Sequence, residues 1–176
     1  MDLSKNFENL RMNEVKKNPE RLRPVLPLIH KKGLSLAKLG ELCNPKVERG
    51  GIPYRFRVGD CMMADMAEMA RAAGYKFVWH WEDVHPVEPS ARLVRAVTSY
   101  KSELLLPVMD YLALKNISLP DLGKKLGLSG SAIGYRIRNG VCMMSQMEEM
   151  AEAAGYKFVW GWEEIPETSS ASSSES

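Results

Sequence analysis

The apolar positions of this chain follow one rhythm, and they follow it twice. In the second half Leu104, Val108 and Leu112 recur every fourth residue, as along one face of a helix. A Ser90 cap would open that helix at Ala91. Pro107 lies inside the pattern, so the helix is expected to kink or restart there. Asn116 ends it. Ser118 then patterns as an N-cap, with Asp121 three residues on, for a short helix striped by Leu119, Leu122 and Leu126. Gly127 supplies the positive φ of a turn and Leu128 plugs it from inside. Ser129 caps the next helix, whose Ile133 and Ile137 face inward, and Gly140 closes it. Ser145 and Glu148 pattern as a capping box for one more helix. Its Met147, Met150, Ala151 and Ala154 face inward, and Gly155 stops it. There the period drops from 3.6 to 2. Tyr156, Phe158, Trp160 and Trp162 alternate with Lys157, Val159, Gly161 and Glu163, which marks a half-buried strand with one aromatic face.

The same grammar stands in the first half. The octapeptide Ala72–Trp79 returns unchanged at Ala153–Trp160, and the first strand carries Tyr75, Phe77, Trp79 and Trp81. Upstream, Ser35, Leu39 and Gly40 match Ser118, Leu122 and Gly123. A repeat this long means two copies of one small domain. The boundaries follow: an N-terminal basic extension at 1–20 (a helix or a loose arm), repeat one at 21–83, a linker at 84–90, repeat two at 91–164, and a Ser-rich tail at 165–176 that cannot bury anything. The expected fold is mainly α with a short β-strand per repeat. A lone strand leaves its backbone unpaired, so the two strands should form a two-stranded ribbon, within the chain or across a dimer.

Composition adds limits rather than a function. Apolar residues make up 45% and charged residues 26%, ordinary for a globular protein. No apolar run approaches a membrane span and the N-terminus lacks a signal-peptide core, so a bacterial cytoplasm, or the host cytoplasm of a phage, is expected. Cys43, Cys61 and Cys142 form no CxxC and read as small buried apolar residues. Net charge is only +2, but residues 11–38 carry Arg11, Lys16, Lys17, Arg21, Arg23, Lys31, Lys32 and Lys38 against Glu14 and Glu20. That local basic face suits a polyanion and equally suits plain solvation.

The segment Leu119–Gly140, LPDLGKKLGLSGSAIGYRIRNG, resembles the helix-turn-helix of lambda-repressor-like (Cro-type) regulators of phages and Firmicutes. Gly123 takes the place where the two helices touch, Gly127 the turn glycine, Leu128 the plug, Ser129 the cap and Ile133 the core position. The resemblance implies two tandem helix-turn-helix domains, repeat one being degenerate, and a second helix that enters the major groove of duplex DNA. Opposite Ile133 and Ile137 the wheel places Ser131, Tyr135 and Arg138, with Gly134 beside them. Arg138 would fork onto a guanine edge or grip phosphate. Ser129, Lys124 and Lys125 would hold backbone phosphates. Arg136, nearer the buried edge, suits phosphate or an internal ion pair. In repeat one the equivalent contacts are Tyr54, Arg55 and Arg57. Two departures stand out. Gly130 and Gly134 replace long polar side chains, so either the backbone comes close to DNA or the reading surface has decayed. The turn Cys43–Gly51 is two residues longer, with Pro53 in the place of Gly134, so that helix should start with proline in its first turn.

Other chemistry is thin. The series Met62, Met66, Met69 and Met143, Met147, Met150 reads as core filling before an adaptable binding surface. His30, His80 and His85 lack partners at ligand spacing, so no metal is expected. GLSGSAIG lacks the phosphate-loop order. No nucleophile–base pair stands out, and neither an enzyme nor a cofactor is expected. Two classes remain. One is a DNA-binding regulator of phage or mobile-element type, whose duplication mimics a two-fold dimer and whose partners are duplex DNA and, optionally, a second copy. The other is an anti-CRISPR-type inhibitor, which binds a Cas nuclease or its nucleic acid with the same scaffold. Fold alone does not separate them.

Overall fold

The computed structural model describes residues 18–44, 51–85 and 103–166. The extension before Asn18, most of the repeat-one turn, the linker from Pro86, the Ser90 cap and the tail beyond Pro166 lie outside the described residues. Among the described residues each half holds four helices followed by a strand. A 3-10 turn, Arg23–Val25, leads into α1 (Leu26–Lys31), α2 (Leu36–Leu42), α3 (Gly51–Val58), α4 (Met63–Ala72) and β1 (Tyr75–Asp83). The second half repeats this as α5 (Pro107–Leu114), α6 (Leu119–Leu126), α7 (Gly130–Asn139), α8 (Met144–Ala153) and β2 (Tyr156–Glu164). The helix expected from Ala91 lies outside the described residues, and proline opens α5 at its first position, after a turn at 103–106. Asn116, at φ 53, turns the chain after it. Both helix-to-strand turns are made by glycine, Gly74 at φ 83 and Gly155 at φ 79, a conformation any Cβ would strain.

The strands pair within the chain and antiparallel. Their register sets Trp79 opposite Trp160, two residues that occupy the same place in the two repeats. A second bridge joins Met62 to Met143, again equivalent residues. It is closed by Met63 N–H to Cys142 O and Met144 N–H to Cys61 O, both 2.8 Å. An antiparallel pair has a local two-fold axis normal to the sheet between directly opposed residues. The two repeats are thus related by a pseudo-two-fold axis that runs through the ribbon and on between Met62 and Met143.

Directly opposed residues share a sheet face, so the aromatic rings of both strands point the same way, onto the helices. One core results. Leu22, Ile29, Leu39, Ile52 and Cys61 and their counterparts Leu105, Leu112, Leu122, Ile133 and Cys142 all belong to it. The methionines fill the centre: Met63, Met66, Met144 and Met147 are fully buried. The buried indole of Trp162 donates to Met66 Sδ at 3.3 Å, across the repeats. Symmetry reaches individual polar atoms: Tyr75 Oη donates to Leu28 O at 3.1 Å and Tyr156 Oη to Tyr111 O at 2.8 Å, the same bond in each half.

Where the halves differ, they bind each other. Ser145 and Glu148 do not form the expected capping box. Gln146 Oε1 accepts from Met143 N–H instead, at 3.0 Å. Ser145 is recruited by Asp60, a buried carboxylate that accepts from Ser145 Oγ at 2.5 Å, Ser145 N–H at 3.1 Å and Cys61 N–H at 3.0 Å. Glu148 is recruited by the buried Arg21 guanidinium at 3.0 Å, which also donates to Gly59 O at 2.6 Å. A capping box would have taken Ser145 from the buried Asp60 and Glu148 from Arg21, and a buried charge short of partners is the costlier defect.

Candidate nucleic-acid interface

In repeat two, α6 and α7 meet through backbone. Ser118 caps α6 by accepting from Asp121 N–H at 3.2 Å, and its hydroxyl donates to Asp121 Oδ2 at 2.5 Å. That hydrogen bond holds the Asp121 carboxyl below its usual range. Gly127 ends the helix at φ 67. Ser129 caps α7 by accepting from Ala132 N–H at 3.1 Å. A Cβ on Gly123 would fall onto the carbonyl oxygen of Leu128, and one on Gly130 would lie 2.8 Å from Pro120 N and 3.1 Å from Leu119 C. Gly134 is buried, with Leu119 Cδ1 at 3.3 Å from where its Cβ would stand. Gly130 therefore sits where the α6 backbone leaves no room. Gly134 is buried against the end of the Leu119 side chain, and Arg138 Nη2 lies 3.8 Å from where its Cβ would stand, beside the outward arginine as expected.

The outward face of α7 carries Ser131, Tyr135, Arg138 and Asn139, all exposed. Tyr135 keeps 58% of its surface in solvent, high for an aromatic residue beside a formed core. Asn139 was missed from sequence although it lies four residues after Tyr135 on that face. Its amide donates to Tyr135 O at 2.8 Å. Arg136 is half-buried, nearer the core edge as expected, and has no ion pair among the described residues. Lys124 is exposed on α6. Lys125 donates to Ala153 O at 3.0 Å, so its ammonium already rests on the last turn of α8.

The pseudo-axis carries Tyr135 onto Tyr54 and Arg138 onto Arg57. Tyr54 is 45% exposed and the Arg57 guanidinium lies over its ring, 5.3 Å from the centroid. Pro53 stands in the first turn of α3, as its sequence position required. Arg55 is placed differently from Arg57: its Nη1 donates to Asp65 Oδ2 at 2.5 Å in a largely buried ion pair, so its guanidinium is already engaged within repeat one. Its equivalent Arg136 lacks that tether because Gln146 stands where Asp65 does.

Among the described residues no group of His, Cys, Asp or Glu is placed to hold a metal ion. No helix among them is long and apolar enough to cross a membrane. The three cysteines are buried, and burial pushes the Cys43 thiol up to about 11 and Cys142 to about 12. Comparison of the chain with protein-family models, with curated proteins and with solved structures returns no match.

Proposed function

We propose that the chain is a duplex-DNA-binding regulator in which one polypeptide supplies both helix-turn-helix units of a two-fold reader. One observation carries this reading. The α7 helix packs its glycines and isoleucines inward and sends Ser131, Tyr135, Arg138 and Asn139 outward, beyond a Ser-capped N-terminus. A helix entering a major groove needs such a face: a cation that can fork onto base edges, a phenol and an amide, with free N–H groups for phosphate. The pseudo-axis supplies a second such helix without a second chain. Backbone packing against α6 gives Gly130 a reason of its own, which favours this reading. Inhibition of a Cas nuclease through this scaffold is the outcome to be tested against.

The test is a titration of the purified chain against random duplex DNA at low and moderate salt. Binding on the order of micromolar or tighter, falling steeply with salt, is expected. The double variant Tyr135→Ala/Arg138→Ala should lose it by about tenfold or more. Absence of binding at low salt would overturn the reading and move the search to protein partners, Cas nucleases first.

A further inference from the structure

We infer that the two helices are unequal in use: repeat two reads bases, repeat one grips only backbone, and the preferred DNA site is a single well-specified half-site beside a weakly specified one. This rests on the DNA-binding reading above and deepens it.

Two independent differences between equivalent positions point this way. The first is the state of the arginines. On α7 both Arg136 and Arg138 are free of ion pairs among the described residues. On α3 Arg55 is held by Asp65 at 2.5 Å and Arg57 lies on the ring of Tyr54. An arginine that forks onto guanine must present its guanidinium edge. One that rests over a tyrosine ring must leave it before it can do so. It can still lend its charge to a phosphate. The second is the residue after the arginine. Asn139 is exposed and polar, and its equivalent, Val58, is a buried apolar residue.

The pseudo-axis adds a consequence. It is built from covalently joined halves, through Trp79–Trp160 and the Met62–Met143 bridge. One chain therefore presents one reader and one clamp in fixed relation. A homodimer would present two readers, and its site would be a palindrome.

The experiment is selection of preferred sites from a random duplex library with the wild-type chain, followed by footprinting of Arg138→Ala and Arg57→Ala. The expected site has one half strongly specified. Arg138→Ala should weaken that site by about tenfold to a hundredfold and relax its sequence preference. Arg57→Ala should weaken binding evenly across sequences, with a salt slope smaller by about one, and leave the preference intact. Asp65→Gln, which gives repeat one the residue of repeat two, should free Arg55 and raise non-specific affinity. A palindromic site whose preference depends equally on both arginines would overturn the inference while leaving the DNA-binding reading standing. No binding of any duplex at low salt would overturn both.

Discussion

The crossing of α6 with α7 and the crossing of α2 with α3 descend from one pattern and have reached different packing. In repeat two, Gly123 and Gly130 let two helix backbones touch. In repeat one the described neighbours of the equivalent Gly40 are different: the side chain of Ile52 lies 3.7 Å from where its Cβ would stand, and the counterparts of Leu128 and Ser129 fall in 45–50, outside the described residues. A crevice of about 260 Å³ is lined by Leu36, Ala37, Gly40, Ile52 and Pro53 among others. A residue shared by two repeats need not do the same thing in both, because the packing around it decides.

The sharpest way to break this comparison is one substitution made twice. Gly123→Ala drives a methyl into the Leu128 carbonyl, and backbone on both sides cannot yield. Overpacking of this kind should cost about 3 kcal/mol. Among the described residues Gly40→Ala meets only ordinary contact, and it removes a flexible residue from a helix, so it should stabilise by about 0.5–1 kcal/mol. Chemical denaturation of the two variants checks the pair. Equal losses would mean that repeat one is packed as tightly as repeat two.

Next in size is the asymmetric pin between the repeats. Asp60→Ala strips an acceptor from Cys61 N–H and Ser145 N–H and leaves the Ser145 hydroxyl without its partner. Buried donors left unpaired put the expected loss at about 2 kcal/mol. The equivalent residue in repeat two is Val141, 43% exposed, and Val141→Ala should stay within about 0.5 kcal/mol. Asp60→Asn keeps one acceptor and should fall between them. A thermal melt in which Asp60→Ala matches the wild type would show that the carboxylate does not hold the halves together.

Much of this was legible beforehand, and for identifiable reasons. The strand signal was unambiguous because four aromatic residues at period two can share a face only in a strand. The caps at Ser118 and Ser129 and the stops at Gly127, Gly140 and Gly155 were readable because each is a local backbone requirement. That both strands would seek a partner followed from unpaired backbone, though only the structure fixes Trp79 opposite Trp160. What escaped was set by contacts distant in sequence. Ser145 and Glu148 look like a box until Asp60 and Arg21 arrive from the other repeat. The partner of Arg55 is invisible until Asp65 is seen beside it. Gly134 stands beside Arg138 as the wheel has it, but a wheel drawn from Ile133 and Ile137 knows nothing of Leu119 on the neighbouring helix, whose methyl it also meets. On the candidate interface, Ser131, Tyr135 and Arg138 came from periodicity alone, because exposure on a helix is largely the complement of its apolar stripe.

The smallest expected effect tests whether the repeats also differ in their response to acid. In repeat one Glu68 accepts from Arg71 at 2.6 Å and from the backbone N–H of Asn44, also at 2.6 Å. The Arg71 hydrogen bond, followed by that backbone bond, holds the Glu68 carboxyl below its ordinary value against the opposing effect of burial. In repeat two the residue at the Arg71 position is Glu152, so that pairing cannot form. A carboxyl depressed in the folded state binds fewer protons there than in the unfolded chain. Its contribution is therefore complete above about pH 4.3, the unfolded glutamate value, and is lost as pH falls through the lower folded value. Arg71 is more than half exposed, so solvent screens the pair and the contribution should be only about 0.5 kcal/mol. The wild type should exceed Glu68→Gln by that amount at pH 6, and the gap should close below pH 4. Arg71→Glu, which copies repeat two into repeat one, should leave a Glu68→Gln change with no comparable benefit to remove at pH 6. A gap that persists unchanged to low pH would assign the stabilisation to the shape of the side chain, since glutamine would then fail for a reason that protonation does not touch.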